Sequence, residues 1–187
     1  ARLELGEVES NQIARLSQRD TIYLAIYGLP GSNELDIGTW ILKTEGDAAK
    51  VLAMDAALMA NKDHWFVRET IGMLRRTFSR LDLSSRSLFA LIEAGSCFAG
   101  SFLELALACD RSYQLALPDD AAAAPKVTVG DTNFGFYPMV TEQSRLQRRF
   151  YNEQPALDAV RASAGKALDA DAAFALGLVT ANPDDID

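Results

Sequence analysis

Two carboxylates are the side chains of this sequence that could carry acid–base chemistry. Glu104 lies in an apolar stretch, residues 102–107, and Asp131 precedes a turn rich in glycine and aromatic residues. Two acids can act as general acid and general base when their surroundings separate their pKa values. Each residue also has a plainer interpretation. Glu104 could face solvent, and Asp131 could form an Asx turn.

The loop before Glu104 consists mainly of small residues. It runs from Gly95 through Gly100 and Ser101, between a strand predicted over residues 87–92 and a helix predicted over residues 99–109. Small side chains let a ligand approach the backbone, and the first amides of a helix can point at an anionic or polarised oxygen. Close packing of the strand on the helix would favour the same small residues. The loop alone therefore leaves both interpretations open.

The other reactive side chains give weaker signals. Cys97 and Cys109 flank the predicted helix about 18 Å apart, which is too far for a disulfide. The single His64 lies on another predicted helix, so we do not expect a Cys–His pair. Both cysteines are interpreted as buried thiols in a reducing compartment. One histidine and two separated cysteines do not supply the ligands of a zinc site, and we expect no metal.

Composition limits the classes of function. The chain has 187 residues, which suits one domain over residues 1–187, and a net charge of -8 with a pI near 4.7. An acidic chain lacks the basic surface that nucleic-acid binding needs. No apolar run approaches the roughly 18 residues that span a bilayer, and the first residues do not read as a secretory signal. These features predict a cytoplasmic protein without nucleic-acid or membrane partners.

The order of the predicted elements indicates an α/β fold. Strands are predicted over residues 21–27, 37–44, 87–92, 112–117 and 126–129, and helices over residues 48–59, 63–81, 99–109, 141–152, 155–164 and 169–176. Strands that alternate with helices predict a mostly parallel sheet flanked by helices. Asp47 is predicted to cap the first helix, and Gly177 to end the last one.

Two motifs in this order resemble the crotonase (enoyl-CoA hydratase/isomerase) superfamily. The first is Glu104-Leu-Ala-Leu-Ala-Cys-Asp110, which follows the small-residue loop. The second is the segment over residues 165–179, whose predicted helix ends in Gly-Leu-Val. The resemblance implies a crotonase-like (ClpP/crotonase) ββα-superhelix with a mostly parallel sheet flanked by helices.

A narrower resemblance, to the benzoyl-CoA-dihydrodiol lyase (2,3-epoxybenzoyl-CoA dihydrolase) family, is carried by residues 33–40, 62–72, 84–93 and 133–140. It implies opening of the ring of 2,3-epoxybenzoyl-CoA in aerobic benzoate degradation, with formate and an aldehyde-bearing acyl-CoA as products. It implies no cofactor apart from the coenzyme A of the acyl-CoA thioester substrate. Family members are longer and resemble two crotonase-type units in tandem. This chain resembles the second unit, so a missing first unit and a homo-oligomer are the expected partners.

The resemblance also implies roles for particular residues. The two catalytic glutamates of the superfamily correspond to Glu104 and Asp131. Two backbone amides that would form an oxyanion hole for the thioester correspond to Ser101 and Met54. Gly95 and Gly100 belong to the loop that contains Ser101.

Several positions differ from the superfamily pattern. Ser101 stands where glycine is usual, Met54 and Phe102 stand where small residues are usual, and Asp131 is one methylene shorter than glutamate. A larger side chain narrows the slot that a thioester carbonyl must enter, and losing one oxyanion donor typically costs about two to three powers of ten in rate. A second hypothesis follows: this unit is non-catalytic and supports assembly with an active first unit.

Overall fold

The computed structural model describes residues 38–118 and 120–185, together with the backbone of Arg2–Leu5. The strand predicted over residues 21–27 lies outside these residues. Within the described part of the chain, no helix is long and apolar enough to cross a membrane. The same residues contain no group of three or more His, Cys, Asp or Glu side chains placed to hold a metal ion.

The central feature is a four-stranded sheet whose strands lie side by side in chain order. The strands are β1 (Arg2–Leu5), β2 (Thr39–Glu45), β3 (Ser87–Ile92) and β4 (Arg111–Gln114). β2, β3 and β4 are parallel, and β1 adds an antiparallel edge that the sequence pattern did not predict. In β3, alternate residues are buried, because successive side chains of a strand point to opposite faces of the sheet. The mostly parallel sheet is confirmed.

The described part of the chain also contains six helices and a small second sheet. The helices are α1 (Ala48–Ala60), α2 (Trp65–Asp82), α3 (Leu103–Ala108), α4 (Arg145–Arg149), α5 (Gln154–Ala162) and α6 (Ala170–Ala175). β5 (Val127–Thr128) and β6 (Ala167–Leu168) form the second sheet, which is antiparallel, and 3-10 turns lie at Gly100–Phe102 and Asp131–Phe134. The predicted α/β class is confirmed.

Some predicted elements are shorter in the structure. The helix predicted over residues 141–152 is reduced to α4, because Glu142 and Asn152 have left-handed backbone conformations, with φ of 62° and 61°. Ser144 caps the short helix by accepting a hydrogen bond from the Gln147 amide. The helix predicted over residues 99–109 begins as a 3-10 turn and becomes α-helical only at Leu103. The strands predicted over residues 112–117 and 126–129 are also shorter.

The two predicted helix ends are confirmed. The Asp47 side chain accepts a hydrogen bond from the Ala49 amide at 2.8 Å, and so satisfies one of the free donors at the start of α1. Gly177 has a φ of 71°, and its N–H and that of Leu178 donate to carbonyls of α6. This is a Schellman ending, which stops α6 and turns the chain back toward the sheet.

The segment after α6 completes the sheet on its β4 side. Tyr113 forms a parallel bridge with Ala181, and the Gln114 amide donates to the Ala181 carbonyl at 3.0 Å. The Thr180 hydroxyl accepts a hydrogen bond from the buried Ser112 amide at 3.1 Å. The backbone groups on that side of β4 thus pair with residues distant in sequence.

Candidate active site

Glu104 lies on the central helix α3, in which residues 103–107 are all buried. Its side chain is enclosed, with the residue 1% exposed. Oε1 accepts a hydrogen bond from Asn133 Nδ2 at 2.6 Å, and Oε2 accepts one from Arg145 Nη1 at 2.7 Å. Both oxygens of this predicted catalytic acid are therefore bound to other side chains of the chain.

Arg145 is shared between two buried carboxylates. It is the first residue of α4, and the Ser144 cap fixes the backbone from which it projects. Its Nε and Nη2 donate to Oδ1 and Oδ2 of Asp82 at 2.9 and 2.6 Å, a bidentate pair. Its Nη1 also donates to the Tyr137 carbonyl at 3.0 Å. One guanidinium thus links α2, α3 and α4 with the backbone at Tyr137.

Burial has a large effect on the acids of this cluster. It raises the pKa of Glu104 to about 7, although the Arg145 charge and the Asn133 hydrogen bond act in the opposite direction. Burial also raises the pKa of Asp82, and Arg145 again opposes the rise. One cation facing two carboxylates leaves a charge imbalance, which a proton on Glu104 removes. Glu104 can therefore gain or lose a proton near neutral pH.

Asn133 links Glu104 to the two loops of the site. Its Oδ1 accepts a hydrogen bond from the Gly130 amide at 2.9 Å, and its Nδ2 donates to the Gly100 carbonyl at 2.8 Å as well as to Glu104. Asn133 is fully buried. Its amide therefore fixes the spacing between the loop before α3 and the 3-10 turn that contains Asp131.

A cavity of about 330 Å³ lies beside these loops. Its wall is formed by Leu52, Asp55, Ala56, Met59, Val129, Gly130, Asp131, Thr132, Ala164 and Gly165. Asp131 is exposed, whereas Asp55 is buried. Glu104 is not among the described residues that line the cavity. The structure therefore places one predicted acid, Asp131, at the cavity and the other in the ionic cluster. Their pairing as acid and base stays a prediction.

The amide of Ser101, a predicted oxyanion donor, binds a carboxylate of the chain itself. Ser101 N–H donates to Asp55 Oδ2 at 2.7 Å, and the Thr132 hydroxyl donates to the same oxygen at 3.0 Å. Burial raises the pKa of Asp55, and the hydrogen bonds from Ser101 and Thr132 counteract that rise. The sequence pattern did not predict this contact.

The role predicted for the Met54 amide stays a prediction, and the position of the residue in the structure is unfavourable for it. Met54 lies in the interior of α1. There an N–H bonds to the carbonyl four residues earlier and is not available for a ligand. The side chain that reaches the Ser101 amide is that of the next residue, Asp55.

The remaining loop residues have structural contacts. Gly95 adopts a φ of 82°, and its carbonyl accepts a hydrogen bond from the Gly46 amide at 3.1 Å, so it forms the turn at the end of β3. Cys97 and Cys109 are both buried and free. Burial raises the pKa of both thiols, to about 12 for Cys109, which is unfavourable for a nucleophile.

Among the site residues that sequence reasoning missed, Asp55 and Arg145 carried a usable signal. Asp55 follows Val51 by four positions, and the two residues lie on the buried face of α1. An aspartate at such a spacing from an apolar residue is a sign of a buried carboxylate. Ser144 and Gln147 form a capping box that marks Arg145 as the first helical residue. Asp82 and the side-chain role of Asn133 had no comparable local signal, because their partners are distant in sequence.

Comparison with known proteins gives one close sequence relative. The chain is 58% identical over 156 residues to benzoyl-CoA-dihydrodiol lyase of Aromatoleum evansii, a match that covers 83% of this chain and 28% of the relative. The chain thus spans about a quarter of the length of the curated relative it matches. No family model matches the chain.

Solved structures give weaker matches, and several of them are enoyl-CoA hydratase/isomerase proteins. An enoyl-CoA hydratase/isomerase family protein from Silicibacter pomeroyi has 20% identity and a TM-score of 0.48, with 80% of this chain and 74% of that chain covered. The human mitochondrial delta3-delta2-enoyl-CoA isomerase has 12% identity and a TM-score of 0.45, with 79% and 68% covered. TM-scores this low support no argument on their own. The sequence match confirms the predicted resemblance, and this chain is homologous to a segment of benzoyl-CoA-dihydrodiol lyase.

Proposed function

We propose that the intact protein containing this chain is a carbon–carbon lyase that opens the ring of 2,3-epoxybenzoyl-CoA. The observation that carries the proposal is the 58% identity to benzoyl-CoA-dihydrodiol lyase across 83% of this chain. The chain spans 28% of that relative, so the activity is proposed for the intact protein. Coenzyme A enters as part of the substrate, and no separate cofactor is proposed.

The direct test is an assay of the purified intact protein with 2,3-epoxybenzoyl-CoA. We expect release of formate in equal amount to the acyl-CoA consumed. Benzoyl-CoA, which lacks the epoxide, is the control and should yield no formate. Turnover of neither compound by correctly folded protein would contradict the proposal.

For this segment, Asp131 is the predicted acid best placed to meet a substrate. It is exposed and lines the cavity. If it acts on the substrate, Asp131→Asn should lower kcat by about 10²-fold or more, as is typical when a positioned acid or base is lost. Asp158→Asn removes another surface carboxylate, which does not line the cavity, and is the matched control.

A second candidate, a supporting role for this segment within the enzyme, is favoured by the contacts of Ser101 and Glu104. The Ser101 amide binds Asp55, and both Glu104 oxygens bind Asn133 or Arg145. Glu104→Gln in the intact enzyme separates the two roles. Normal folding with near-normal turnover supports the supporting role, whereas a large loss of kcat in a folded variant supports direct catalysis.

The partners are part of the same proposal. We propose that the intact protein contains a further crotonase-type unit outside this chain, forms a homo-oligomer and works in the cytoplasm. The length of the curated relative supports the further unit, and the net charge of -8 is unfavourable for binding nucleic acid. Light scattering coupled to size-exclusion chromatography would give the number of copies directly.

A further inference from the structure

We propose that Gly100, Ser101 and Thr132 form a carboxylate site that the chain fills with its own Asp55. In this arrangement Asp55 occupies the Ser101 amide, one of the two donors predicted for a thioester oxygen, so Asp55 determines what the site accepts. The carboxylate site itself does not depend on the proposed lyase activity. Only the identity of the excluded ligand, a thioester oxygen, rests on that proposed function.

The donors converge on one oxygen atom of Asp55. Oδ2 accepts from the Ser101 N–H at 2.7 Å and from the Thr132 hydroxyl at 3.0 Å. The three residues are between 1% and 4% exposed. Hydrogen bonds of this length from buried donors to a carboxylate are the strong, charge-assisted kind. The contact therefore joins buried groups and is not a surface pairing.

The backbone at Gly100 is shaped to admit this carboxylate. Gly100 has a φ of 47°, and a Cβ added there would overlap Asp55 Oδ2. A residue with a side chain would therefore both strain the loop and displace the carboxylate. The absence of a side chain at position 100 makes room for Asp55, which approaches from α1.

One amide hydrogen cannot serve two strong acceptors in good geometry. While Asp55 Oδ2 holds the Ser101 N–H, a thioester oxygen has no access to that donor. A developing negative charge would also lie beside the Asp55 carboxylate, and the two would repel in this buried setting. If the intact enzyme polarises a thioester carbonyl, it must therefore use donors outside this site.

Chemical rescue with a small carboxylate tests the site without reference to lyase activity. Asp55→Ala in the intact protein removes the carboxylate and leaves the Ser101 and Thr132 donors unpaired, which should lower the midpoint of thermal unfolding. Sodium formate should restore most of that loss with a saturable concentration dependence, because a ligand that binds only the folded state stabilises it. Sodium chloride at equal ionic strength is the salt control.

Asp55→Asn is the matched variant, because the amide keeps the shape of the side chain and fills the space that formate would enter. Formate should therefore stabilise Asp55→Ala and have no saturable effect on Asp55→Asn or on the unchanged protein. Equal responses of all three proteins, or no response of folded Asp55→Ala, would overturn the proposal. Absence of lyase turnover would not change this result.

A second measurement on the unchanged protein covers the case in which Asp55→Ala does not fold. Crystals of the intact protein soaked with benzoyl-CoA should keep Asp55 Oδ2 within hydrogen-bond distance of the Ser101 amide. The thioester carbonyl, if bound, should lie elsewhere. A carbonyl oxygen on the Ser101 amide, with Asp55 displaced, would refute the proposal.

Discussion

At the scale of single residues, Arg145 supplies the positive charge that two buried carboxylates, Glu104 and Asp82, share. A buried ion pair seldom adds much net stability, because both charges lose their hydration. Removing one partner is costly, however, because the other charge remains buried and uncompensated. Arg145 has two carboxylate partners, so loss of Glu104 leaves the bidentate pair with Asp82 intact. The cluster is thus better able to tolerate neutralisation of Glu104 than loss of Arg145.

Glu104 should make the stability of the protein depend on pH. Its folded pKa of about 7 lies above the ordinary value of 4.5, so the folded state keeps a proton that the unfolded state releases. The free energy of unfolding should therefore fall as the pH rises from about 4.5 to 7, by up to about 3 kcal/mol, and then level off. Urea unfolding of Glu104→Gln at several pH values should show most of this slope removed. The same slope in both proteins would mean that another group titrates.

Asn133 is predicted to tolerate no negative charge. Asn133→Asp keeps the shape of the side chain but points a carboxylate oxygen at the Gly100 carbonyl and at Glu104, where Nδ2 now donates. We expect a loss of about 3 kcal/mol or more in the free energy of unfolding, as for other buried unpaired charges.

The matched control is Asn61→Asp, since the Asn61 Nδ2 also donates to a carbonyl, that of Ala57, but at the surface. Its cost should stay within about 1 kcal/mol. Urea unfolding at pH 8 measures both variants. Similar losses for the two would show that burial of Asn133 does not determine its role.

At the scale of elements, α1 and the loop before α3 depend on one another. The Asp47 cap fixes the start of α1, and the helix then carries Asp55 to the loop two turns further on. The loop in turn supplies the Ser101 amide and the bare Gly100 backbone. The position of this helix is therefore set by a polar contact as well as by apolar packing.

Gly100→Ala tests this dependence. The added Cβ would overlap Asp55 Oδ2 and leave the buried Ser101 amide without its acceptor. Gly95→Ala is the control, because Gly95 also has a positive φ but a Cβ added there would meet no other atom within 4 Å. Gly100→Ala should destabilise the protein by about 1–3 kcal/mol more than Gly95→Ala does. Thermal and urea unfolding give the two values.

The additional destabilisation by Gly100→Ala, relative to Gly95→Ala, should disappear when the Asp55 side chain is removed. In an Asp55→Gly background, Gly100→Ala should cost about as much as Gly95→Ala, because the overlapping oxygen is absent. Strictly additive effects of the two changes would indicate that Gly100 and Asp55 do not interact.

At the scale of the whole molecule, the order and type of most elements could be predicted from the sequence. Apolar runs such as residues 87–92 mark strands, and Asp47 and Gly177 mark helix ends, because these signals are local. The short extent of α4 could not be predicted, since it is limited by left-handed backbone conformations at Glu142 before the helix and Asn152 after it. Residues other than glycine rarely adopt that conformation. The antiparallel β1 was missed because its partner, β2, lies far along the chain.

The candidate site could be predicted only in part. The motif around Glu104 and the loop before it indicated the resemblance to the crotonase superfamily, and Asp131 does line a cavity. The partners of Glu104 come from α4 and from the 3-10 turn after β5, which no local pattern connects with α3. The same holds for Asp55, whose contact with Ser101 spans 46 positions of sequence. Side-chain contacts between distant segments are set by the packing of the whole fold.

Thr180 should contribute to the stability of the entire sheet. Its hydroxyl is the acceptor for the buried Ser112 amide of β4. Thr180→Val keeps the shape but leaves that amide unpaired, which should cost about 1–3 kcal/mol. Thr70→Val is the control, since the Thr70 hydroxyl only donates to the Phe66 carbonyl within α2 and at the surface. Equal losses in urea unfolding would contradict a special role for Thr180.

The pairing of β4 with the segment after α6 also has a consequence in time. Ser112 and Thr180 are 68 positions apart. Ribosomes add about 5–20 residues per second. The residues of β4 are therefore synthesised roughly 3 to 14 seconds before Thr180, with which β4 pairs. During that interval its outer backbone groups have no partner from the same molecule, and an exposed strand edge pairs readily with other chains. We therefore expect unfinished chains on the same messenger RNA to associate through the outer edge of β4 until the segment after α6 has been synthesised.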